Sequence, residues 1–159
     1  MSMTTKVTSA DPVAKIMVEG LVEVDPGESL RSVAQQLVGA EIGVVLVKTP
    51  GGPVGLISER DLVNALVGGG DFDTQQAADI ATTDLITTQP GDSIAAVGQL
   101  MLDAWIRHIA VREGNTVVGI VSIRDVLAVL LTSAQDKLTD RGHRSGLGET
   151  VAPFIRYSA

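Results

Sequence analysis

Apolar residues recur along this chain with two different periods, and the alternation of those periods repeats once. Leu30, Val33, Ala34, Leu37 and Val38 fall at i, i+3, i+4, i+7 and i+8, the spacing of one helix face. Ile94, Val97, Gly98, Met101 and Leu102 repeat that spacing 64 residues later. Before each helix a short apolar stretch, 21–24 or 85–88, runs into a Pro-Gly turn, and Ser29 or Ser93 then stands where a helix cap is expected. After each helix come two strand-like runs joined by turn residues. They are 43–47 and 54–57 around Thr49-Pro-Gly-Gly52, then 109–111 and 117–121 around Glu113-Gly-Asn115. A second helix follows from Ser58 and from Ser122. The predicted order is β-α-β-β-α, twice.

The duplication also holds residue by residue. Between 24–63 and 88–127, 13 of 40 positions are identical without a gap, among them Pro26/Pro90, Gly55/Gly119 and Asp61/Asp125. A single 60-residue unit buries only about 60% of its unfolded surface and is marginal alone. Two copies packed sheet against sheet are therefore expected to share one core around an approximate two-fold axis, so that any cleft at the seam forms twice. The division expected is an N-terminal segment 1–12, copy one at 13–67, a flexible Gly-rich linker at 68–76, copy two at 77–131 and a C-terminal tail at 132–159. The tail is expected to be mobile from Ser133, with a short docking segment at 151–157.

Composition narrows the function. The chain has 159 residues, 45% of them hydrophobic, and no cysteine. It offers no apolar run approaching the ~20 residues of a spanning helix, and residues 1–6 contain no signal-peptide core. A cytoplasmic protein without membrane attachment is expected. The net charge of −7 disfavours nucleic-acid phosphates. Before Thr132 only eight Lys/Arg stand against sixteen Asp/Glu, so the position of each cation carries information.

The candidate chemistry sits at the two second helices. Ser58-x-Arg60-Asp61 and Ser122-x-Arg124-Asp125 each follow a Gly and two aliphatics. Ser-x-x-Asp is a capping pattern that needs no ligand. A helix start also presents unpaired amides and a positive dipole end to an anion, and an ionised Asp accepts from paired hydroxyls. A solvated helix face accounts equally well for Arg60 and Arg124. Arg107 and His108 lie where a helix hands over to a strand, and Arg has the fork geometry that phosphate favours. Trp105 reads as packing at a helix end, and His143 as part of the tail. No Gly-x-Ser-x-Gly elbow and no metal-ligand spacing occurs, so a non-catalytic protein without a metal or catalytic cofactor is expected.

The Pro-Gly-x-Ser turn with its helix, and Gly-h-h-Ser-x-Arg-Asp opening the last helix, resemble the CBS domain, named for cystathionine β-synthase. Two copies over 13–131 resemble a CBS pair, or Bateman module. The resemblance implies an α+β fold of two tandem β-α-β-β-α motifs packed sheet to sheet with pseudo-two-fold symmetry. It also implies a regulatory sensor for an adenosine ligand: AMP, ADP or ATP, with S-adenosylmethionine or NAD as further members of the class. The same resemblance implies a homodimer, with an effector protein as a further partner. By the family pattern one cleft joins Ser58, Arg60 and Asp61 to Ala81, Leu85, Ile86, Ile106, Arg107 and His108. The other joins Ser122, Arg124 and Asp125 to Met17, Leu21, Val22, Ile42, Gly43 and Val44. The chain departs from the family at Leu46 and Ala110, where proline is frequent, and at Gly43-Val44, where copy two has Arg107-His108. The alternative is a structural or dimerisation module with degenerate, non-binding clefts. Because Arg107 and His108 belong to the Asp61 cleft in this scheme, that cleft is expected to bind charged nucleotides more tightly.

Overall fold

Apolar alternation along each strand and Ser caps on each helix produce the same five-element series in both halves. The computed structural model describes residues 6–48 and 54–142; the turn expected at 49–52, the docking segment at 151–157 and His143 lie outside them. The first half comprises β1 (Glu23–Val24), α1 (Leu30–Gly39), β2 (Val44–Lys48), β3 (Val54–Ser58) and α2 (Glu59–Val67). A four-residue helix, α3 (Ala77–Ile80), precedes the second half: β4 (Thr87–Thr88), α4 (Ile94–Asp103), β5 (His108–Glu113), β6 (Thr116–Ser122) and α5 (Ile123–Gly142). Ser29 accepts the Ser32 amide at 3.3 Å and Ser93 the Ala96 amide at 3.2 Å, so both predicted caps form.

The chain folds into two three-stranded sheets, ordered β1-β2-β3 and β4-β5-β6, with one parallel and one antiparallel pairing in each. The two copies pack sheet to sheet. Strand alternation assigns the faces. Val45, Val47 and Ile57 turn toward α1 and α2, in a core with Leu30, Val33, Leu37 and Leu62. Ile109, Val111 and Val121 turn toward α4 and α5, in a second core with Ile94, Val97, Met101 and Val126. The opposite faces carry the cross-strand pairs Leu46–Leu56 and Ala110–Ile120, which occupy equivalent positions in the repeat. Leu46, Ala110 and Ile120 are buried although they belong to neither core. The single shared core expected from the sequence is thus two helix-covered cores with a separate inner layer between the sheets.

The copies are tied together by an exchange of leading segments. Val13, in a 3-10 turn at Val13–Lys15, is fully buried in the core of copy two, and Ala77 is fully buried in the core of copy one. The backbone repeats the exchange at the same 64-residue offset. Val13 N–H donates to Asp92 O at 2.7 Å and Ala77 N–H to Glu28 O at 2.8 Å. Val18 exchanges two hydrogen bonds with Ile120, and Thr82 two with Leu56. Gly119 and Gly55 permit these crossings. A Cβ at Gly119 would lie 2.9 Å from Met17 Sδ, and one at Gly55 would lie 3.0 Å from Ala81 Cβ. Burying a valine-sized side chain contributes about 1.5–3 kcal/mol and a single methyl about 0.8 kcal/mol, so Val13 ties its segment to copy two more strongly than Ala77 ties its own to copy one.

Two expectations for the connections change. The 68–76 linker is not a free spacer. Arg31 N–H donates to Phe72 O and Leu30 N–H to Gln75 O, Phe72 packs on the first core, and Arg31 pairs with Asp73. The tail expected from 132 begins as helix, because α5 continues to Gly142. The polar composition after Thr132 misleads there, since a helix already anchored by Val126 and Val129 continues through residues that are themselves mostly exposed. No helix among the described residues is long and apolar enough to cross a membrane.

Candidate functional site

Because each copy lends its leading segment to the other, the rim of each seam cleft comes from one copy and the helix start from the other. The cleft at the start of α5 has a volume of about 560 Å³, and the one at the start of α2 about 240 Å³. Ligand pockets commonly span about 300–1,000 Å³, a range that contains the first, while the second falls just below it.

The helix starts are nearly identical in their bonding. Ser58 donates through its amide and through Oγ to Asp61 Oδ2, both at 2.7 Å. Ser122 donates likewise to Asp125 Oδ2, at 3.1 and 2.7 Å. The capping arrangement therefore holds in both copies, and it fixes each carboxylate while engaging only Oδ2. Among the described residues no hydrogen bond engages Oδ1 of Asp61 or Asp125, which leaves it for another donor. Arg60 and Arg124 are exposed beside them, and Arg60 Nη1 donates to Trp105 O at 3.3 Å.

Most residues expected at the clefts line them. Around Asp125 these are Ser122, Arg124, Leu21, Val22, Ile42, Gly43 and Val44. Around Asp61 they are Ser58, Arg60, Leu85, Ile86, Ile106, Arg107 and His108. Met17 and Ala81 do not line them. Met17 packs on the second core and Ala81 on the first, where they meet Gly119 and Gly55. The next residue in each case, Val18 or Thr82, faces the cleft instead. A one-residue error in an extended segment exchanges its two faces.

Arg107 and His108 do not serve the Asp61 cleft alone; both also line the Asp125 cleft. The cause is Gly43. A Cβ there would lie 2.8 Å from His108 Cε1, so the missing side chain leaves room for the imidazole to reach across the seam. Burial, and then the Arg107 charge, push the His108 pKa below its ordinary value, with a smaller push from Arg124; Glu59 and Asp125 oppose them. In total the larger cleft sets Arg107, Arg124 and His108 against Glu41, Glu59 and Asp125, and the smaller sets Arg60, Arg107 and His108 against Asp61 and Asp84.

Sequence reasoning missed the rims. Helices α1 and α4 end with the amide of residue 42 or 106 donating to the carbonyl of residue 37 or 101. This places Glu41 and Trp105 in the left-handed region, at φ 54° and 56°. Trp105 does not pack at the helix end as expected; it is 85% exposed on the wall of the Asp61 cleft. The signal available was its position, immediately before Ile106-Arg107 and equivalent to Glu41.

The sequence matches the CBS domain family at residues 13–68 and again at 77–132. The chain belongs to the CBS-domain family, as a tandem pair. It is 24% identical over 135 residues to the CBS domain-containing protein YhcV of Bacillus subtilis, covering 84% of this chain and 96% of that one. It is 35% identical over 117 residues to the mitochondrial CBS domain-containing protein CBSX3 of Arabidopsis thaliana, covering 70% of this chain and 55% of that longer protein. Among solved structures, a CBS domain protein from Pyrobaculum aerophilum complexed with AMP superposes with a TM-score of 0.68 at 26% identity. That match covers 78% of this chain and 98% of the other.

Proposed function

We propose that this CBS pair is a regulatory module that binds an adenosine nucleotide in its seam clefts and signals through the arrangement of its two copies. The observation that carries this reading is the repeated Ser-x-Arg-Asp helix start, whose Asp is held by a cap through one oxygen and open through the other. A ribose offers two hydroxyl donors to such a carboxylate. Leu21, Val22 and Ile42 supply an apolar wall for a purine, and Arg107 and Arg124 supply phosphate donors. The AMP complex of the Pyrobaculum aerophilum protein supports the ligand class. Since each cleft takes walls from both copies, a ligand there favours whichever arrangement of the pair it contacts better. The working form is a homodimer, which a light-scattering mass of a single chain at tens of micromolar would refute.

A structural pair with degenerate clefts is the second reading, and the three acids lining the larger cleft favour it. A thermal-shift panel of AMP, ADP, ATP, NAD and S-adenosylmethionine separates the two. A ligand at 100 times its Kd that binds only the folded state adds about 2.7 kcal/mol. For a chain of this size that raises the melting temperature by roughly 5–11 °C. A flat response across the panel would establish the structural reading.

A further inference from the structure

We infer that the two clefts cannot hold charged nucleotides independently, because a single basic pair, Arg107 and His108, forms a wall that both of them use. The inference rests on reading the clefts as adenosine-nucleotide sites and adds a rule of occupancy to it. Pseudo-two-fold symmetry would provide two such walls, one from each copy. The second is missing, since the positions equivalent to Arg107 and His108 are Gly43 and Val44. Val44, Arg107 and His108 are the residues common to both linings.

The geometry explains how one strand end serves two sites. Adjacent residues at a strand start point to opposite faces, so Arg107 and His108 leave the backbone in different directions. His108 reaches over Gly43 into the larger cleft, because no side chain stands there. Arg107 is exposed at the end of a long stem, within reach of either side. One guanidinium makes one bidentate contact with one phosphate. A second phosphate arriving through the other cleft meets an Arg107 already engaged and a like charge at close range. Physiological salt screens charges over about 8 Å, a length comparable to the span of a single side chain, and so does not separate the two sites. A nucleoside without phosphate escapes both penalties. The larger cleft, beside Asp125, fills first, at 560 against 240 Å³, which reverses the ranking expected from the sequence.

Calorimetric titration of the full chain with AMP and, separately, with adenosine tests this. For each ligand the quantity read is the ratio of the second-site to the first-site Kd. That ratio is expected to be at least tenfold larger for AMP than for adenosine. In Arg107→Ala, an exposed position whose loss leaves the cores intact, the AMP ratio should fall toward the adenosine value, stopping short of it by the phosphate–phosphate repulsion that remains, with melting temperature confirming the fold. Equal ratios for the two ligands would overturn the inference, since cleft volume alone would then explain the asymmetry. An AMP ratio unchanged in Arg107→Ala would overturn it as well. Absence of binding by both ligands would remove the nucleotide reading itself, a different failure from binding without coupling.

Discussion

The Asp61 and Asp125 clefts share one backbone frame and differ in a few side chains. Their helix starts carry the same cap bonds, their leading segments make the same two-bond crossing, and their preceding helices end in a left-handed residue at the equivalent position. The main differences are Thr82 against Val18, Asp84 against Gly20, Trp105 against Glu41, and Arg107-His108 against Gly43-Val44; Glu59, at the first residue of α2, lines the Asp125 cleft together with its equivalent, Ile123. Two glycines in place of an aspartate and an arginine account for the roomier cleft beside Asp125. Duplication has preserved the hydrogen-bonded skeleton, and the divergence includes positions that touch the cavity. The missing side chain at Gly43 has the widest consequence, since it lets His108 reach from one cleft into the other.

The largest effect that would sharpen this contrast is on binding. Asn in place of Asp125 keeps an acceptor for the Ser122 cap but removes the charged second oxygen. A hydrogen bond to a charged group is worth about 1.5–3 kcal/mol. Asp125→Asn should therefore weaken the tight AMP phase by about one to two decades, while Asp61→Asn leaves it nearly unchanged. Calorimetry in which Asp61→Asn removes the tight phase would reverse the ranking of the clefts.

Next come the glycine crossings. Gly119→Ala presses on Met17 and on the Val18 carbonyl, and Gly55→Ala on Ala81 and the Thr82 carbonyl. Overpacking of this kind costs about 1–3 kcal/mol. Urea unfolding should show a loss in both variants, and only Gly119→Ala should also displace the Val18–Val22 rim of the larger cleft. Gly27→Ala meets nothing within 4 Å and serves as the neutral control. If the crossing variants matched that control, the exchanged segments would not hold the clefts open.

Protonation of His108 gives a smaller effect. Its folded pKa lies below the unfolded value of about 6.5, so the unfolded chain binds the proton more readily. The stability this neutral imidazole contributes is fully present above that value and is lost as pH falls through the folded pKa. One proton limits the slope to about 1.4 kcal/mol per pH unit. Denaturation midpoints between pH 7.5 and 5 should fall in the wild type and fall less in His108→Gln; parallel curves would show that His108 is not the group responsible. The smallest effect is at Trp105. At 85% exposure, its replacement by Ala should change stability by no more than about 0.5 kcal/mol. A larger loss in a melting experiment would mean that the rim of the Asp61 cleft is part of the packing.

The repeat, the strand and helix order and both Ser caps were legible in the sequence because they depend on local periods and on residues within four positions of one another. The Ser58–Asp61 and Ser122–Asp125 pairs were legible for the same reason. The exchange of Val13 and Ala77 was not, because an apolar residue in a short segment does not say which of two equivalent cores it enters. Met17 and Ala81 were placed one residue away from the cleft, since segments bridged to the sheet by a residue or two give no alternation long enough to set the face. The crossing of His108 depended on an absent side chain 65 positions earlier, a relation that no local pattern carries.

A crystal structure of the full chain with AMP at one equivalent shows which cleft the nucleotide occupies. The expected result is one nucleotide in the larger cleft, its ribose hydroxyls on Asp125 Oδ1, its base against Leu21, Val22 and Ile42, and its phosphate turned to Arg107. AMP seated only beside Asp61, or a seam left empty while the ligand binds on an outer face, would contradict it.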